Sequence, residues 1–160
     1  MKKGGFGLLE IVIAVSLISG TIFSLAFVFL LANKLETHAS NQIRANFLAE
    51  EGLEALRSLR DKSWSANLAS LNAGATYYLS FNPVSSNWSV TTINPGLIDG
   101  AYIRSFVVAS VSRDGSDNIV SSGGTPDPNT KEFRVSVSWQ ERGVYSTTTV
   151  STYLSDIFQN

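Results

Sequence analysis

The sequence predicts an α+β fold: a long N-terminal helix, half transmembrane and half amphipathic, packed on a small antiparallel β-sheet. Three observations carry that expectation. No charged residue occurs from Ile11 to Ala32. From Asn33 to Lys62 there is no proline, and apolar residues recur mostly at three- and four-residue steps. Beyond that stretch, short alternating runs rich in Val, Thr, Phe, Tyr and Trp are separated by turn residues.

The first element is the apolar run. Ile11 to Ala32 consists of Leu, Ile, Val, Phe and Ala with scattered Ser, Thr and one Gly. As a helix it measures about 33 Å, enough to cross the hydrocarbon core of a bilayer. Lys2 and Lys3 precede it, so the positive-inside bias places the N-terminus in the cytoplasm and sends the remainder outward. Glu10 stands at the start of this run. A charge at the centre of a span costs about 2.5–3.5 kcal/mol to insert, and less near an end. It does nothing for a plain anchor, so a carboxylate here points to a function and calls for a partner. A secretory signal peptide has a shorter apolar region followed by a small-residue cleavage site. This run is too long, carries an acid, and ends Leu31-Ala32-Asn33-Lys34. A buried core helix is disfavoured because nothing else in the chain could cover it on all sides.

The helix continues through the second stretch. Leu35, Ala39, Ile43, Phe47, Leu48, Leu53, Leu56 and Leu59 form the expected apolar stripe, with most charges off it. Glu54 and Arg57 are spaced to pair on the helix surface. The expectation is one stem from about Phe6 to Lys62, roughly 85 Å long, divided into an apolar segment (6–32) and an amphipathic segment (33–62). Residues 63–160 form the sheet domain.

Within that domain, Ser63 to Thr76 reads as a loop tucked in by Trp64, Leu68 and Leu71. Tyr77–Phe81, Trp88–Ile93 and Tyr102–Ser112 read as strands, the second ending at the turn Asn94-Pro95-Gly96. Glu132 to Gln140 alternates strictly, placing Phe133, Val135, Val137 and Trp139 on one face. Glu141-Arg142-Gly143 makes a turn, and Val144 to Leu154 returns to complete a hairpin.

Composition excludes several chemistries. The net charge is −1 and no basic patch lies outside the helix, so nucleic-acid binding has no electrostatic support. The chain has no cysteine, which removes disulfides and thiol catalysis. His38, the single histidine, has no nucleophile and orienting group in a recognisable arrangement, and reads as a helix-surface residue. There is no Gly-x-Ser-x-Gly elbow and no phosphate-cradling glycine loop. No catalytic residue and no cofactor is expected. Trp64, Trp88 and Trp139 read as packing residues. The stretch Arg113 to Thr130 concentrates Asp114, Asp117, Asn118, Asp127 and Asn129 with Gly115, Gly123 and Gly124. Oxygen ligands of that kind could hold Ca²⁺, but the EF-hand spacing fails, and a solvated connection between strands accounts for the same residues. No metal ligand is assigned.

Lys2-Lys3-Gly4-Gly5 followed by Phe6-Gly7-Leu8-Leu9-Glu10-Ile11-Val12-Ile13-Ala14 resembles the leader and N-terminus of type IV prepilins and type II secretion pseudopilins. The resemblance is specific over residues 4–32. It implies a leader of residues 1–5, cut by a prepilin peptidase between Gly5 and Phe6, with N-methylation of Phe6. It also implies that Glu10 pairs with the terminal ammonium of a neighbouring subunit during filament assembly. Two opposite charges attract strongly in a low-dielectric bundle, so proteolysis would create the cation that makes the acid tolerable. A plain single-span anchor fits the length but leaves Gly5-Phe6 and Glu10 unexplained. The stretch Gln42 to Arg57 and the hairpin Val135 to Leu154 also look like those of minor pilins and minor pseudopilins. Many major pilins close a C-terminal loop with a disulfide, and the absence of cysteine points the same way. Removal of Lys2 and Lys3 with the leader would leave a net charge of −3.

The resemblance therefore implies a structural subunit of a type IV pilus or type II secretion filament. It would be held first as a single-pass inner-membrane protein with its C-terminal domain outside the cytoplasm. Implied partners are the prepilin peptidase, other pilin subunits, the inner-membrane assembly platform and, before assembly, membrane lipid. Two alternatives stay open: a tip-located minor pilin that presents an adhesive or DNA-uptake surface near Asp114 to Asn129, and an anchored exported domain outside any filament.

Overall fold

The two periodicities in the sequence become one helix and one sheet. The computed structural model describes residues 7–158, which form α1 (Leu8–Lys62), α2 (Trp64–Asn67), β1 (Thr76–Asn82), β2 (Asn87–Thr91), β3 (Tyr102–Arg113), β4 (Ile119–Val120), β5 (Thr125–Glu141) and β6 (Val144–Ser155). The sheet is antiparallel in the order β2-β1-β3-β5-β6, with β4 paired to β3 off that path. This is the α+β layout expected. The chain divides into two units, one ending at Asn41 and one beginning at Gln42. The described part of the first unit is helix throughout apart from Gly7.

In the second unit, α1 covers one face of the sheet with Ala45, Leu48, Ala49, Gly52, Ala55, Leu56 and Leu59, all buried. The spacing is helical, but the stripe differs from the one expected. Ile43 and Phe47 are 56% and 61% exposed. Small residues replace them because the helix backbone lies very close to the sheet. A Cβ on Gly52 would sit 2.8 Å from Val135 Cγ1 and 3.0 Å from Arg104 Cδ, inside van der Waals contact. Leu48, Leu56 and Leu59 of the expected stripe are buried, but reading by apolar size misses Ala45, Ala49, Gly52 and Ala55, because close approach selects for small volume.

Across the core, β5 presents Phe133, Val135, Val137 and Trp139, all buried as their alternation requires. Phe106 on β3 packs between Tyr77 and Phe133, with ring centroids 5.6 and 6.2 Å away. Trp64 and Leu68 are buried in this core, while Trp88 is half-buried against it. The segment after α1 is more ordered than a plain loop. The Ser63 hydroxyl accepts from the Ala66 amide at 3.3 Å and starts α2.

Strand boundaries shift where side chains compete with the ladder. β2 ends at Thr91, because the Thr91 hydroxyl accepts from the Ile93 amide at 3.1 Å and turns the chain. β5 starts at Thr125, well before Glu132, so half of the connection expected over Arg113 to Thr130 is strand. Ser112 pairs with Pro126 and Ser110 with Lys131, and the register shifts between Ser110 and Val111. That irregularity holds Pro128, at a place where the ladder to β3 needs no donor. Glu141 and Val144 pair across the two-residue turn Arg142-Gly143, whose φ values of 52° and 84° give the left-handed turn that matches strand twist.

Candidate functional site: the apolar start of the long helix

Every Leu, Ile, Val and Phe from Leu8 to Leu31 is exposed, with Phe23 at 75%. This part of α1 is long and apolar enough to cross a membrane. Three of its hydroxyls bond within the helix. Ser16 donates to Val12 O at 2.7 Å, Thr21 to Ile18 O at 2.7 Å, and Ser24 to Gly20 O at 2.9 Å. In hydrocarbon such internal bonds remove a desolvation cost that free hydroxyls would carry. Ser16, Gly20 and Ser24 also line a shallow groove with Leu17, Thr21 and Leu25. Small residues at four-residue steps let another helix come close. Reading by apolar content alone passes over this groove, although the spacing was visible in the sequence.

Glu10 lies in the first turn of α1, where its amide donates to Gly7 O at 3.0 Å. A carboxylate there complements the positive end of the helix dipole by about 0.3–1 kcal/mol when exposed. Gly5 and Phe6, the expected cleavage and methylation positions, lie outside the described residues, as does the leader 1–5. His38 is exposed on the helix surface.

In the second unit the side chain that ties α1 to the sheet is Arg104 on β3, which the sequence did not single out. Its guanidinium is buried, donating to Leu48 O at 3.0 Å and to Glu51 Oε2 at 2.8 Å. It also lies 5.0 Å above the Trp88 ring. The only sequence signal is an arginine on the inward phase of an alternating strand. Thr148 adds a second tie from β6, donating to Asn46 Oδ1 at 2.8 Å. Lys131 holds the chain after α2, donating to Leu68 O at 3.0 Å and Leu71 O at 2.9 Å.

The acidic stretch considered for Ca²⁺ uses its carboxylates locally. Asp114 Oδ1 accepts from the amides of Ser116 and Asn118 at 2.8 and 2.9 Å, capping the turn between β3 and β4. Asp127 accepts from Arg113 Nε at 2.8 Å and from the Asn129 amide at 2.9 Å. The Asn118 bonds hold the Asp114 carboxyl below its usual range, and the Arg113 bond does the same for Asp127. Among the described residues no group of three or more His, Asp or Glu is placed to hold a metal.

The fold and this helix define a class: an α+β protein with one N-terminal helix that could span a membrane. Comparison with protein-family models, with curated proteins and with solved structures finds no match.

Proposed function

We propose that this chain is a structural subunit of the prepilin type, a minor pilin or pseudopilin, cut between Gly5 and Phe6 and assembled into a filament through its N-terminal helix. The observation that carries the reading is the exposed apolar surface from Leu8 to Leu31 with one acid, Glu10, in its first turn. Such a surface needs an apolar surrounding, and lipid before assembly and other subunits after it would supply one. Glu10 then takes the N-terminal ammonium of a neighbour as its partner. The groove of Ser16, Gly20 and Ser24 suits close helix packing, and the sheet domain is carried outside the cytoplasm. No chemistry is assigned to the chain; its work is assembly.

The test is the intact mass of the protein expressed with and without an active prepilin peptidase. Loss of Met1 to Gly5 and gain of one methyl group is the expected result. An uncut chain overturns the reading and leaves an anchored domain. If the chain is cut, Glu10→Ala should abolish its recovery in sheared filaments while leaving it in the membrane. Removing one partner of a buried ion pair costs about 3–5 kcal/mol.

A further inference from the structure

The edge of the sheet at β6 is unguarded. Proteins blunt exposed edges with charges, proline, bulges or a covering element. From Val144 to Ser155 there is no charged residue and no proline, and the register with β5 runs without a shift. β6 ends the strand order, so among the described residues no strand lies beyond it.

The outward backbone groups can be assigned. The two-residue turn closes on the pair Glu141 and Val144, and tight turns of this kind close on a hydrogen-bonded pair. At the other end the Asp156 amide donates to Asn129 O at 2.9 Å, in the same phase. Even-numbered residues of β6 therefore bond to β5. Tyr145, Thr147, Thr149, Ser151 and Tyr153 turn their N–H and C=O groups away from the sheet. The side chains of these five residues share the open face, and all five residues are exposed except through hydroxyl contacts to β5. The Thr149 and Thr147 hydroxyls lie 2.9 Å from those of Ser136 and Ser138 on β5.

The sequence of this edge reads nearly the same in both directions about Thr149. Tyr145 mirrors Tyr153, Ser146 mirrors Thr152, Thr147 mirrors Ser151, Thr148 mirrors Val150 and Val144 mirrors Leu154.

We propose that β6 pairs with β6 of a second copy of this chain, antiparallel and centred on Thr149, joining two sheets across a two-fold axis. In that register the five outward residues of each copy face one another as hydrogen-bonded pairs and exchange about ten backbone bonds. Tyrosine meets tyrosine and hydroxyl meets hydroxyl. One patch serves both copies, as a two-fold interface requires. A strand from an unrelated protein would fill the edge but would leave the mirror symmetry without a cause. The inference rests on the edge alone and is independent of processing at Gly5.

The native chain has no cysteine, so single cysteines report the register. The full uncut chain is reconstituted in detergent micelles and oxidised. Thr149→Cys places two sulfurs on the axis, with Cα atoms about 5.5 Å apart, within disulfide range. Thr147→Cys or Ser151→Cys alone puts the sulfurs about 13 Å apart along the strand, whereas a mixture of the two brings them opposite. The expected result is cross-linking of Thr149→Cys and of the mixture at least tenfold faster than of Thr147→Cys or Ser151→Cys alone. Equal rates for all variants, as association through the apolar helix would give, overturn the proposal. So does absence of cross-linking by Thr149→Cys. In a second measurement on the same chain, Thr149→Lys sets two ammonium groups on the axis from an exposed side chain. Sedimentation should show loss of the dimer, and an unchanged dimer fraction counts against the edge.

Discussion

The two parts of α1 on either side of Asn41 treat apolar surface in opposite ways. From Leu8 to Leu31 every large apolar side chain is exposed, although this is the most hydrophobic stretch of the chain. From Gln42 onward the helix is poorer in large apolar residues, yet it supplies seven buried positions, four of them Ala or Gly. The lesson is that hydropathy measures what a segment needs, while shape decides what its own chain can provide. The first part must find its apolar surroundings elsewhere. The second finds them in a sheet close enough that Gly52 can carry no side chain without displacement.

Breaking the second part should have the largest effect. Arg104→Ala removes the bonds to Leu48 and Glu51 and the contact with Trp88, and should cost the second unit about 3–4 kcal/mol. Trp64, Trp88 and Trp139 all belong to that unit, so urea unfolding followed by tryptophan fluorescence reads it alone. A loss below about 1 kcal/mol would mean that apolar packing holds the helix without the arginine.

Next in size is Gly52→Val, which forces the helix away from Val135 and should cost about 1–3 kcal/mol by the same readout. An unchanged midpoint would show that helix and sheet separate easily, and the contrast between the two parts of α1 would weaken.

Acid should act through Asp127 and Asp114, whose carboxyls are held below their usual range in the folded chain. A carboxyl with a lowered folded pKa binds its proton more weakly folded than unfolded. Its contribution is therefore present above the ordinary carboxylate value of about 4 and is lost as pH falls through the folded value. Thermal melts should show stability declining below about pH 4. Asp127→Asn should lower stability near neutral pH by about 1–2 kcal/mol and flatten that acid limb. A limb of unchanged slope would remove Asp127 as a cause.

The smallest effect on the fold belongs to the first part. Phe23→Ala should leave the unfolding midpoint of the second unit within about 0.5 kcal/mol. The same change should weaken retention in vesicles, since burying a phenylalanine contributes about 1.5–3 kcal/mol. A large fold effect with unchanged retention would invert the comparison.

The α+β class, the long helix, the alternation of β5 and the hairpin into β6 were legible in the sequence because periodicity is local. Glu54 and Arg57, three residues apart, do bond on the helix surface as their spacing suggests. Of the candidate site, the apolar run and the place of Glu10 at its start were legible for the same reason. The buried face of α1 was legible only in part: Leu48, Leu56 and Leu59 were read, and Ala45, Ala49, Gly52 and Ala55 were not. Ile43 and Phe47 carry the stronger apolar signal, but the sheet accepts only the small face around Gly52, and that preference exists only once helix and strands meet. Arg104 was hidden likewise, because an arginine on an inward phase reads as an interruption until Leu48 O and Glu51 are brought to it. The early start of β5 depends on β3 tolerating Pro126 and Pro128 across an irregular register, a property of the pair. By itself the sequence determined which segments need burial and with what period. The tertiary structure decided which faces meet, because close packing responds to volume and to unmatched polar groups that no single segment displays.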